Sequence, residues 1–406
     1  MNNKIKAAVA GAVLASASVA NAGITWDAGE WTVDMNGNVN AFAIFADSPD
    51  AATTGGAGKI STTKGNSDAS AQINTGLLPN WLGFTATTRQ NDLDTSITIS
   101  MQPGASSANA LSGGSKEEHR QAFLTFGDKS WGSVKVGKDL GLFGSNAILN
   151  DMTLLGVGAP GGTAGGGTTT FGRIGTGFIY ADWQGQISYT TPNMNGLSLS
   201  VGVFQPWNAI SSTEGNIADG TDISATSSGD ADQLGYQGQG SYSWTGDFAG
   251  KVWAGFYHQE IQGMSAGGST DASAFEAGVS TSIYNVNLVA YAYSGEGVGT
   301  TLLLRDGFDS TGKKRDSDGG YVQATYVIPT GTKLGVSYGI SKLDDNAADA
   351  GAGLVEENKM LTIGAYHPLT KHLNLVAEYS NVEATAHDTI SDAESDIFSV
   401  GAILFF

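Results

Sequence analysis

From residue 31 onward the chain repeats one pattern. Runs of roughly ten residues alternate apolar with polar or small side chains, and each run ends in a turn or a loop. Leu197, Leu199, Val201 and Val203 share one parity against Ser198, Ser200 and Gly202. Leu334, Val336, Tyr338 and Ile340 oppose Lys333, Gly335, Ser337, Gly339 and Ser341, and Ile97, Ile99 and Met101 oppose Ser96, Thr98, Ser100 and Gln102. Asn36, Asn38 and Asn40 share a face opposite Val39 and Ala41, while Leu373, Leu375, Ala377 and Tyr379 oppose Asn374, Glu378 and Ser380, with Val376 breaking the rule. A period of two sends alternate residues to opposite faces of a strand. About sixteen such runs are counted, an even number in the range of transmembrane barrels. Their centres lie near Ala41, Gln72, Ile99, Leu124, Val136, Ile187, Val201, Gly240, Ala254, Ala277, Ala290, Ala324, Val336, Ile363, Ala377 and Val400.

A soluble sandwich alternates too, so the connections decide. They alternate between short (191–196, 245–247, 329–331, 369–372) and long (47–66, 103–116, 142–173, 206–230, 295–316, 343–357). Short turns at one end and long loops at the other are the build of a transmembrane antiparallel β-barrel, whose closed sheet leaves no backbone group unpaired in hydrocarbon. The expected fold is therefore all-β, with apolar alternate residues toward lipid and polar or small ones around a lumen wide enough for water.

The connection over 142–173 stands apart. It is far longer than an ordinary loop and has neither helical nor strand periodicity. Ile148, Leu149, Met152, Leu154, Leu155 and Val157 are apolar, and Asp151 and Arg173 are its only charges. It needs a surface to pack on. Gly161, Gly162, Gly165, Gly166 and Gly167 let its backbone turn tightly. The segment is expected to fold back into the lumen.

Composition sharpens this picture at three points. The mean hydropathy is −0.09 and no stretch of about 18 apolar residues follows the N-terminus, so no transmembrane helix is expected. There is no Cys, which removes any disulfide framework. Lys4 and Lys6, an apolar small-residue segment over 7–19 and the Ala20, Asn21, Ala22 site together read as a secretory signal peptide over 1–22, leaving a single barrel domain over 23–406. Removing that segment takes away two Lys and no acid, so the formal net charge of −19 becomes −21, which argues against a nucleic-acid partner. Export without cysteine fits the envelope of a Gram-negative bacterium.

The last run over 396–406 places Phe398, Val400, Ala402, Leu404 and Phe406 on one parity up to a terminal aromatic. It resembles the insertion signal of outer-membrane barrels, a docking strand for the barrel assembly machinery. With WGSVKVGKD over 131–139, FGRIG over 171–175 and GLLP over 76–79, the mature chain resembles the Gram-negative general porins. That resemblance implies a sixteen-stranded barrel, a homotrimer, and a third extracellular loop bent into the lumen. It also implies acids on that loop facing basic residues on the wall. Carried over, the loop acid is Asp151 and the basic residues are Arg120 in HRQAF, Lys138 and Arg173. Lys135 joins them through its parity with Ser133. A mid-strand charge on such a barrel points inward by default, because facing lipid is costly. The expected partners are outer-membrane lipid, lipopolysaccharide bridged by outer-loop acids such as Asp222, Asp230, Asp344 and Glu357, and small hydrophilic solutes and ions.

Other chemistry is sparse. The five His are scattered without metal-protease spacing, and no G-x-S-x-G elbow occurs. The Gly tract lacks the Lys-Ser/Thr of a phosphate cradle, and the acids near 316–320 lack the later Glu of a calcium loop. No cofactor is expected. A passive diffusion channel with slight cation preference is the expected function, and a solute-specific porin with a binding lumen is the alternative.

Overall fold

The computed structural model describes residues 23–48, 69–105, 117–160, 169–210, 233–262, 268–350, 354–387 and 392–406. The first 22 residues, the Gly tract over 161–167, Asp222 and Asp230 lie outside them. Among the described residues, nineteen strands form one antiparallel sheet. They are β1 (Ile24–Ala28), β2 (Trp31–Asp47), β3 (Ala69–Asn74), β4 (Trp81–Gln90), β5 (Leu93–Pro103), β6 (Glu117–Glu118), β7 (Ala122–Asp128), β8 (Gly132–Leu140), β9 (Trp183–Thr190), β10 (Leu197–Phe204), β11 (Gly235–Trp244), β12 (Phe248–Ile261), β13 (Thr270–Ile283), β14 (Val286–Glu296), β15 (Asp316–Val327), β16 (Lys333–Leu343), β17 (Val355–Pro368), β18 (Leu373–Ala386) and β19 (Ala393–Phe405). β19 pairs back onto β2, with Phe405 opposite Asn38 and Asp396 opposite Asp47, and this closes the ring.

Three staves are made of two strands each. β3 pairs with residues 42–47 of β2 and β4 with residues 32–38, so they share one stave. β6 and β7 both lie against β5. β1 continues the line of β19 along β2. The nineteen strands are therefore sixteen staves, and the sixteen expected centres fall one to each. The expectation missed β4, the second half of the stave centred near Gln72.

The faces of the sheet are inverted relative to a soluble protein. Val39, Phe45, Ile97, Ile99, Val201, Val322, Val336, Ile363, Phe398 and Val400 are exposed on the outside. Their strand neighbours Ser96, Thr98, Ser100, Ser337, Thr362 and Ser399 are buried inside. Apolar surface left in water costs about 25 cal/mol per Å². A complete outer belt of it is stable only against hydrocarbon. The sorted connections agree: two to six residues join strands at one end, and the long loops sit at the other.

The described parts of the segment, residues 142–160 and 169–173, run inside the ring, with helix α1 (Ser145–Asn150) followed by a 3-10 turn (Met152–Leu155). Phe143, Ile148, Phe178 and Ile179 pack against Trp253, Tyr257, Tyr291, Tyr293 and Tyr321 on the inner wall. Met152, Val157 and Ala159 pack against Phe42, Met360, Tyr366 and Val376. The loop over 297–315 joins this inner layer, its Leu303 and Leu304 in the same core and its Thr301 carbonyl accepting the Tyr180 N–H at 2.9 Å. Among the described residues, the inner layer thus fills the β11–β18 side and leaves an opening along the β2–β10 side.

Candidate pore and its constriction

Inward polar positions on the wall hold the loop by its backbone. On β11, Gln237 Oε1 accepts the Leu142 and Phe143 N–H groups at 2.8 and 3.0 Å. On β13, Glu276 Oε2 accepts Gly144 N–H and the Tyr291 hydroxyl, both at 2.8 Å. On β15, Gln323 accepts from Met152 N–H at 2.7 Å and donates to the Asn150 carbonyl at 2.9 Å. On β18, Glu378 accepts Val157 and Gly158 N–H at 2.7 and 2.9 Å and the Tyr366 hydroxyl at 2.6 Å. The seat is close enough that a Cβ at Gly156 would meet the Glu378 carboxylate at 2.1 Å. The loop is thus a fixed inner layer whose irregular backbone is satisfied by the wall, as burial demands.

Two residues expected at the constriction are instead part of this fixing. The side chains of Asp151 and Arg173 are both sealed from solvent, with Arg173 Nε 3.8 Å from Asp151 Oδ1. Arg173 donates to the Met360 carbonyl at 3.0 Å and the Ser337 carbonyl at 3.2 Å, reaching strands β17 and β16. Asp151 accepts the Thr153 N–H at 3.0 Å and its hydroxyl. Burial raises the carboxyl pKa and lowers that of the guanidinium, and the attraction between them opposes both shifts. Facing the lumen is therefore corrected for this pair: they clamp loop to wall.

Lys138 is corrected as well. It stands three residues from Lys135, hence on the opposite face, where it shares exposure with its partner Ala122 and donates to the His119 carbonyl at 2.9 Å. Period two allows only one of these two lysines to point inward.

Arg120 and Lys135 do line the opening, a cavity of about 760 Å³. Each stands beside an acid: Arg120 Nε lies 2.8 Å from Glu118, and Lys135 Nζ contacts Asp139. Asp139 was not among the expected residues, although its parity with Ser133 and Lys135 is a signal that could have found it. Asp182 and Tyr180 complete this group at the loop's return. Burial pushes the Tyr180 phenol up to about 12, against the pull of Arg120. It therefore stays a neutral hydroxyl, accepting from Arg120 at 3.3 Å and from the Trp183 indole N–H at 2.9 Å. Burial also raises the Asp182 carboxyl, opposed by the Trp183 N–H and by Arg120. The sequence reading did not find Glu118, Asp182, Tyr180, Trp81 or Trp183, which reach the opening from separate stretches.

At the chain end Phe398, Val400 and Leu404 face outward and are exposed. Phe406 exchanges both backbone hydrogen bonds with Gly37, at 2.9 and 3.0 Å.

A family model described as Gram-negative porin matches residues 7–387. Among solved structures, the chain is similar to the outer-membrane channel DcaP of Acinetobacter baumannii, at 16% identity and TM-score 0.69 over 95% of this chain and 100% of that one. It is also similar to an anion-selective porin from Comamonas acidovorans, at 15% identity and TM-score 0.62 over 93% and 100%. The trimer form of OmpT from Vibrio cholerae matches at 16% identity and TM-score 0.55 over 93% and 100%. No curated protein matches the sequence.

Proposed function

Because the chain belongs to the Gram-negative porin family, we propose a working arrangement for an outer-membrane diffusion channel in which the inner loop sets the width and the β2–β10 wall sets the charge. The observation that carries it is the inverted alternation around a closed ring, apolar outside and polar within, with an open cavity of about 760 Å³ beside the fixed loop. Solutes and ions pass down their gradients through that opening. Arg120 and Lys135 are its cations, and Glu118, Asp139 and Asp182 its acids. Charges of both signs lining a poorly screened gap orient dipolar solutes. Acids outnumber cations there, and the chain as a whole is strongly acidic, so a slight cation preference follows.

Purified protein added to a planar bilayer should give discrete, ohmic conductance steps. An inert bilayer would overturn the channel assignment. Residues 1–22 act as an export signal in this reading, so N-terminal sequencing of the membrane-extracted protein should begin at Gly23. A homotrimer is proposed from the likeness to the trimer form of OmpT, and native mass measurement in detergent tests it. Phe398, Val400, Leu404 and the terminal Phe406 are proposed as the segment read by the barrel assembly machinery, with deletion of Phe406 expected to lower the assembled yield in cells. Asp344 in an outer connection and Glu357 near the start of β17 are among the acids proposed to meet lipopolysaccharide through divalent cations.

A further inference from the structure

The opening has a feature that ion passage does not require. The face the inner loop turns toward it is apolar: Leu149, Leu154 and Phe171 rest on the buried core yet stay partly exposed to the cavity. On the wall, Trp81 of β4 points inward along a parity otherwise held by Gly83, Thr85 and Thr87, and its ring lies 5.6 Å from that of Trp183. The Trp183 N–H is already spent on Tyr180. What Trp183 offers the cavity is therefore ring surface, and Trp81 adds its own ring beside it. Partly exposed apolar surface in water is a standing cost that a passing solute relieves by covering it.

The charges nearby narrow the choice. Arg120 is accompanied by Glu118 and Lys135 by Asp139, with Asp182 a further acid. No excess of cations stands ready for a simple anion, while donors and acceptors of both signs lie within one cavity. Its size falls in the range of sites that hold small molecules.

We infer that this opening carries a weak binding subsite for small amphipathic solutes, molecules that join an apolar ring to a neutral or zwitterionic polar end. The inference rests on the channel reading and names the solute class that lingers in that channel.

Zwitterionic amino acids are suitable probes, because they do not cross lipid readily and differ only in their side chains. In planar bilayers at neutral pH, L-tryptophan and L-phenylalanine should reduce the current through the purified channel saturably. Their half-block concentrations should lie about tenfold or more below that of L-glutamine, a difference equivalent to about 1.4 kcal/mol. The double variant Leu149→Ser/Leu154→Ser, and separately Trp81→Gln on the wall, should each erase most of that difference while conductance in salt alone persists. Equal block by glutamine and phenylalanine, or a difference untouched by both variants, overturns the subsite and leaves the channel standing. An absence of conductance from the wild-type protein overturns the channel reading and the subsite with it.

Discussion

At the scale of single residues, the charges that matter most to the architecture are those with no access to water. Arg173 and Asp151 have fully buried side chains, and Arg173 alone ties the loop to two wall strands. Removing one member of a buried pair strands the other charge, at a cost on the order of 3–5 kcal/mol. Arg173→Met should therefore loosen the inner loop, seen as larger and noisier single-channel currents. The double change Asp151→Asn/Arg173→Met should be quieter than Arg173→Met alone, because it leaves no lone charge. A second buried pair joins two outer loops: Arg315 grips Asp349 through Nε at 2.9 Å and through its terminal nitrogen at 2.6 Å. Burial opposes the Asp349 charge, but the Arg315 fork and the Asn346 N–H outweigh it and hold the carboxyl below its usual value. Its folded pKa thus lies beneath the unfolded value of about 3.9, so its contribution is complete above that pH and is lost as pH falls through the folded pKa. Hydrogen exchange at the Gly297 and Arg315 amides, corrected for intrinsic rates, should show protection falling below about pH 4. Asp349→Asn should remove that step. Parity made Lys135 legible in the sequence and, applied strictly, excludes Lys138. The fate of Asp151 and Arg173 was not legible, because spacing along a loop does not reveal that its two charges meet behind it.

At the scale of elements, the alternation is the fold. Its strength can be tested on β10, where Val201 is exposed on the outside and Ser198 lines the cavity. Val201→Lys should destabilise the membrane-embedded barrel by about 2–4 kcal/mol, the cost of a lysine near the bilayer midplane. Ser198→Lys should cost far less. Urea unfolding from lipid vesicles distinguishes them, and equal costs would contradict the assignment of faces. Sixteen staves were legible because this period repeats with few exceptions. The β3–β4 stave was only half legible for a physical reason. Between its halves, residues 75–80 leave the ladder and serve the inner loop instead: Leu77 N–H donates to the Gly156 carbonyl at 2.9 Å and Thr170 N–H to the Gly76 carbonyl at 3.2 Å. A strand that breaks to receive another segment loses its period at that point. β4 then resumes with an inward Trp81, which reads as apolar on the wrong face. The wall anchors Glu276 and Glu378 were hidden similarly, since an inward acid looks the same in sequence whether it faces water or a buried backbone.

At the scale of the whole molecule, two sources of field act on a passing ion and salt separates them. One is the acidity of the chain, with its net charge of −19 and much of that acid in the long connections between strands. The other is the group at the opening, where Glu118, Asp139 and Asp182 stand against Arg120 and Lys135. Charges in open vestibules are screened over a Debye length of about 10 Å at 0.1 M salt and about 3 Å at 1 M. Charges in a narrow gap with low-dielectric walls are screened much less. Reversal potentials under a potassium chloride gradient should therefore give a potassium preference that is clearest near 0.1 M. The preference should decline toward 1 M without vanishing, the remainder belonging to the opening. Arg120→Gln removes one of the opening's two cations and should raise the high-salt remainder, whereas Asp344→Asn/Asp345→Asn at the outer rim should lower only the low-salt part. Preference for chloride at low salt would mean that neither source governs the path, and that ions travel along a surface other than the β2–β10 wall.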